Sequence, residues 1–110
     1  MKVKLNVLER ITLRGILPKD ENYLTYKMIS DLKTNLSFSP AEWKKYGLET
    51  LPDGRASWKN GLATKEVEIP DVIMVMVEAK LVFLEKDKKI NDDNVSLYER
   101  FILNKIVTKK

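Results

Sequence analysis

The sequence predicts an α+β fold in one domain over residues 1–110, mostly helical, with about five helices and a small antiparallel two- or three-stranded sheet mid-chain. Three observations carry that prediction. Apolar residues recur at helical spacing, most clearly Leu24, Met28 and Leu32 with Ile29 and Leu36 beside them. Pro52-Asp53-Gly54 suits a tight reversal between two short segments, 48–51 and 55–58. The apolar run 72–84 is 13 residues long and interrupted by Glu78 and Lys80, too long for an ordinary strand and well short of the roughly 20 residues that cross a membrane.

The first helix starts at Asn6, whose side chain caps the amide near Glu9 while Glu9 reaches back in a capping box. Val7, Leu8, Ile11 and Gly15 share its expected inward face. Gly15 and Pro18 end it, and Lys19-Asp20-Glu21-Asn22 leads into a second helix over 23–36. Ser39-Pro40-Ala41-Glu42 combines a capping serine, a proline preset for the first turn and a glutamate that completes the box. It opens a short third helix that Gly47 closes. The hairpin follows, with positive φ expected at Gly54. Lys65-Glu66-Val67-Glu68-Ile69 alternates polar with apolar, which reads as a third strand on that hairpin with Val67 and Ile69 inward and Pro70 as its stop. Asp71 is then expected to cap a fourth helix so apolar that it must be surrounded at the centre of the core. Residues 91–94 cap a last helix whose Val95, Tyr98, Phe101, Ile102 and Ile106 form one face, and 105–110 are expected to fray as a basic tail.

The chain has no His and no Cys, which excludes zinc fingers, catalytic zinc, haem ligation through either residue, cysteine nucleophiles and histidine-dependent triads. Any metal would have to be a hard cation on oxygen ligands. The four glycines are isolated, so no phosphate-cradling loop is formed. Residues 87–98 fail as an EF-hand, because the position of the invariant glycine holds Asp92 and that of the bidentate glutamate holds Tyr98. Glu66 and Glu68 could face one way as paired acids, but the solvent face of a charged edge strand explains them as well. The expectation is a protein that is not an enzyme and needs no cofactor.

The formal charge is +4, of which Lys105, Lys109 and Lys110 supply three, leaving about +1 on residues 1–104. Arginine, the usual reader of phosphates and base edges, is confined to Arg10, Arg14, Arg55 and Arg100. No secretion signal opens the sequence, where Lys2, Val3, Lys4 and Leu5 alternate, and a cytoplasmic location with no membrane contact is expected.

Two surface readings remain. Trp43, Tyr46 and Trp58 either form a satellite core between the third helix and the hairpin or grip a partner. Three helices followed by a hairpin is also the order of a winged helix-turn-helix, in which residues 40–46 would enter the major groove and Arg55 would sit at the wing tip. That helix offers Glu42, Lys44 and Lys45 with no Arg, Asn or Gln for bidentate readout, so DNA binding is the alternative rather than the first choice.

The chain also resembles a group of small uncharacterised proteins of tailed bacteriophages and prophages. The likeness lies in Asn6-Val7-Leu8-Glu9-Arg10, Ile16-Leu17-Pro18-Lys19, Leu36-Ser37-Phe38-Ser39, Trp58-Lys59-Asn60, Lys65-Glu66-Val67-Glu68-Ile69 and Ser96-Leu97-Tyr98-Glu99-Arg100-Phe101. Members of that group carry Glu-rich, less apolar residues where this chain has 72–84, a departure that bears on helix packing and oligomeric state. The resemblance implies a viral or mobile-element origin, hence a bacterial host cytoplasm, and no established activity. Together these readings predict a phage-type accessory protein that binds another macromolecule, a host or phage protein before nucleic acid. Trp43, Lys44, Lys45, Arg55 and Trp58 are the partner-binding candidates. Homo-oligomerisation through the apolar fourth helix is a further expectation.

Overall fold

The structure, a computed structural model, describes residues 2–59 and 63–103. In chain order the elements are β1 (Lys2–Asn6), α1 (Val7–Ile16), α2 (Tyr23–Leu36), α3 (Pro40–Tyr46), β2 (Glu49–Thr50), β3 (Ala56–Ser57), β4 (Thr64–Glu68), α4 (Asp71–Lys86) and α5 (Val95–Tyr98). The last of these continues in wider π-helical winding over Glu99–Leu103. The predicted α+β class, mostly helical with small antiparallel ladders, is what the chain forms.

The ladders are arranged differently from the expectation. The segment Thr64–Glu68 does not extend the β2–β3 hairpin; it pairs antiparallel with β1, placing Val3 opposite Val67, Lys2 opposite Glu68 and Lys4 opposite Glu66. The physical reason is a match of period. Both strands turn apolar residues to one face, where Val3, Leu5, Val67 and Ile69 are buried, and charges to the other. The hairpin offers no comparable face, since β2 and β3 have two residues each and Glu49, Thr50 and Ala56 are exposed. Glu66 and Glu68 therefore lie on the solvent face of the strand, opposite lysines.

Helix α1 has the expected capping box: Asn6 Oδ1 accepts from the Glu9 amide at 2.8 Å and Glu9 Oε1 accepts from the Asn6 amide at 2.9 Å. Its inward face is a correction. Val7, Arg10 and Leu13 point into the protein, while Leu8 and Ile11 are only half-buried and Gly15 is exposed. Helix α2 has the predicted bounds, but its first turn overhangs the core, leaving Leu24 exposed while Ile29, Leu32 and Leu36 are buried. Helix α3 begins at the Ser39 box and ends at Gly47, whose φ of 65° lets the amides of Gly47 and Leu48 reach back to the carbonyls of Lys44 and Trp43.

Helix α4 is corrected twice. Asp71 occupies its first turn, with the Pro70 carbonyl taking the first amides, so no side chain caps it. Nor is the helix surrounded. Ile73, Met74, Val77 and Leu81 are buried, but Val72, Val75, Val82 and Phe83 are exposed, because α1, α2, α5 and the π-helical turn all pack on the same side. Asn94 is buried and organises the loop before α5, accepting from the Asn91 amide and donating to the Lys89 carbonyl. Leu97 and Phe101 bring this segment into the main core with Leu5, Leu13 and Ile73. Ile106 and the expected tail 105–110 lie outside the described residues.

Candidate functional site

Two neighbouring charged residues on α1 fix everything around the candidate site. Arg10 is 1% exposed, and all three nitrogens of its guanidinium donate hydrogen bonds. Nε donates to the Leu36 carbonyl at 3.3 Å, Nη2 to the Ser37 carbonyl at 2.7 Å, and both terminal nitrogens to the Glu42 carboxylate at 2.9 and 3.2 Å. The guanidinium plane also lies 3.9 Å from the centre of the Phe38 ring. One side chain thus ties α1 to the end of α2 and the start of α3. Glu42 is held down to about 2, chiefly by the Arg10 hydrogen bonds, with partial burial opposing and the Ser39 amide adding to the effect.

Glu9 faces the other way. Its carboxylate accepts from the Ser96 hydroxyl at 2.6 Å and from Arg100 Nη1 at 2.8 Å, in addition to the Asn6 amide. Burial alone would raise its pKa, but the Ser96 hydroxyl, the Asn6 amide and Arg100 together outweigh burial and lower it. These are structural charges, fully paired, and they leave the remaining face of α1 apolar and open.

On that face a groove of about 660 Å³ runs between α1 and the hairpin, lined by Leu8, Ile11, Thr12, Leu51, Arg55, Trp58 and Asp93, with Gly54, Ala56 and Ser57 completing the hairpin wall. A second hollow of about 370 Å³ adjoins it across Ile11, where Arg14, Gly15, Phe38 and Trp43 form the rim above Arg10. The predicted residues divide accordingly. Trp58 is half-buried against the satellite core of Val7, Tyr46 and Leu48 and also lines the groove. Trp43 is 42% exposed at the second hollow, outside that core. Trp58 and Tyr46 thus take the satellite-core place, and Trp43 lies outside it. Arg55 sits at the hairpin tip, but its Nε donates to Asp53 Oδ2 at 2.7 Å, so its charge is already matched. Lys44 and Lys45 are exposed on α3 and line neither depression.

Leu8, Ile11, Thr12, Arg14 and Asp93 belong to the site and were not among the predicted residues. The signal was present in the period of α1: only if Arg10 goes inward does the spacing of Val7, Arg10 and Leu13 leave Leu8 and Ile11 on the outer flank. Among the described residues no group of acidic side chains is placed to hold a metal ion, and no helix is long and apolar enough to cross a membrane. No family model, curated protein or solved structure matches this chain.

Proposed function

We propose that this protein is a non-enzymatic, phage-type accessory protein that acts by binding another protein along the outer face of α1, between Trp58 and Trp43. The observation that carries this reading is the pair of tryptophans flanking half-buried Leu8 and Ile11, because aromatic anchors beside apolar grooves supply most of the energy of protein interfaces. Surfaces, rather than an enclosed pocket, are the means of action.

The alternative, a winged helix on DNA, draws support from the exposed Lys44 and Lys45 next to the hairpin, and is weakened by the pairing of Arg55 with Asp53. One paired experiment separates them. The parent, Trp58→Ala, and the triple variant Lys44→Ala, Lys45→Ala, Arg55→Ala are checked for folding by circular dichroism. Each is then used to capture partners from a bacterial lysate and titrated with duplex DNA. Expected are a captured protein lost with Trp58→Ala but kept by the triple variant, and DNA binding no tighter than tens of micromolar at physiological salt. Submicromolar, sequence-selective DNA binding abolished by the triple variant would establish the alternative instead.

A further inference from the structure

The side of α4 that faces away from the core is as apolar as the side that faces it. Val72, Val75, Val82 and Phe83 are 46%, 65%, 38% and 55% exposed, and Ala79 is exposed between them. Val72, Val75, Ala79, Val82 and Lys86 are spaced alternately by three and four residues, the a/d spacing of a helix-pairing seam, over a helix of 16 residues. Among the described residues, the elements that pack on α4 do so on its other side and leave this seam exposed.

The geometry points to self-association: two copies pack α4 against α4 in antiparallel fashion, about a twofold axis that passes beside Ala79. Three features select a second copy as the occupant. The stripe is self-complementary about a point between residues 78 and 79, because reversing the helix sets Val75 against Val82 and Val82 against Val75, with the small Ala79 beside the point of closest approach. The charges match at the ends. Lys86 of one copy arrives beside Asp71 of the other, twice by symmetry, and the helix dipoles oppose each other. Exposed ion pairs add little affinity, so the valines drive the contact and the end charges choose its direction.

The area is also adequate. The exposed parts of these side chains amount to on the order of 400 Å² of apolar surface, close to the roughly 450 Å² of apolar area that each partner contributes to a standard interface of about 800 Å² per side. This surface shares no residue with the groove on α1, so the proposal does not depend on the reading of that groove.

Sedimentation and light scattering on the whole chain test it. The expected mass rises with concentration from 12.8 kDa towards twice that value. Val75→Glu changes an exposed position and should leave circular dichroism intact while weakening association by roughly a hundredfold, since the pairing would bury an unmatched carboxylate. Orientation is read separately through introduced cysteines, which the sequence otherwise lacks. Ala79→Cys should form a disulfide-linked dimer on mild oxidation. Val72→Cys should not, because antiparallel packing holds the two copies of residue 72 about 20 Å apart along the axis. A constant monomer mass up to several hundred micromolar would overturn the proposal, as would a dimer indifferent to Val75→Glu. Equal crosslinking through Val72→Cys would overturn the antiparallel arrangement. Should Val75→Glu fail to fold, the two cysteine variants still decide the matter.

Discussion

Replacing Arg10 with Met removes the link between α1, α2 and α3 while keeping most of the buried aliphatic volume. The lost interactions are two hydrogen bonds to Glu42, one each to the Leu36 and Ser37 carbonyls, and the stacking on Phe38. Glu42 contributes through its protonation equilibrium. A carboxylate shifted from 4.5 to about 2 corresponds to about 3 kcal/mol at neutral pH, and water reaching the partly exposed carboxylate reduces this to about 2 kcal/mol. Two carbonyls at the end of α2 lose their donor, and the Leu36 bond is buried, which adds about 1 to 3 kcal/mol. The total is about 3 to 5 kcal/mol, in the range for breaking a buried ion pair. In urea, where a domain of this size unfolds with a slope of about 1 to 1.5 kcal/mol per molar, the midpoint should fall by about 2 to 5 M. The pH profile carries the sign. Because the folded pKa of Glu42 lies below its unfolded value, its contribution is complete above about pH 4.5 and is lost as pH falls towards 2. The gap between parent and variant should be flat from neutral pH down to about 5 and narrow below it. Glu42→Gln should show the smaller loss, about 2 kcal/mol, with a weaker acid dependence than the parent. A variant within about 1 kcal/mol of the parent, or a gap unchanged at pH 3, would refute this account of Arg10.

Lys88 has a φ of 58° at the end of α4, and the amides of Lys88 and Lys89 return to the carbonyls of Glu85 and Leu84. Lys88→Gly should therefore raise stability by about 0.5 to 1 kcal/mol in the same urea titration. Gly47→Ala should do the opposite, by about 1 kcal/mol, since φ is 65° there and a Cβ would stand 3.1 Å from the Lys59 side chain. Glu9→Ala removes half of the capping box and the carboxylate that accepts from the Ser96 hydroxyl and from Arg100, and should cost about 2 to 3 kcal/mol. Its signature is faster amide exchange at Leu97 and Phe101 than at Leu32, measured against the parent; equal change at all three would mean only a global loss.

Local signals in this sequence were strong and were read at close to residue resolution. The Asn6 and Ser39 boxes, the bounds of α2, the Gly47 stop and the reversal at Gly54 all depend on residues within four positions of each other, where capping and turn chemistry decide the outcome. What could not be read was pairing across the chain. The alternation in β1 was visible, but nothing near it names residues 64–68 as its partner. The orientation of α1 was missed for a related reason. Sequence alone places Arg10 in solvent, and only the distant Glu42 and the end of α2 make its burial affordable. Once Arg10 is inside, Leu8 and Ile11 become the floor of the candidate groove, so the error in the core and the omission in the site are one event.

The adjacency of Glu9 and Arg10 also bears on when the molecule can form. Their partners lie 26 to 32 residues away on one side and 87 to 91 on the other, and β1 waits for a strand 58 to 66 positions downstream. During synthesis the amino-terminal helix therefore carries a buried-type carboxylate with no counter-charge until Arg100 exists. Closing such wide loops is paid in chain entropy before any contact repays it, which slows folding relative to a simple helical bundle of equal length. Over that interval the inner side of α4 also lacks its contacts with α5 and the π-helical turn. A nascent chain in that condition is a natural client for chaperones, and its yield in a cell should depend on them more than the stability of the finished protein would suggest.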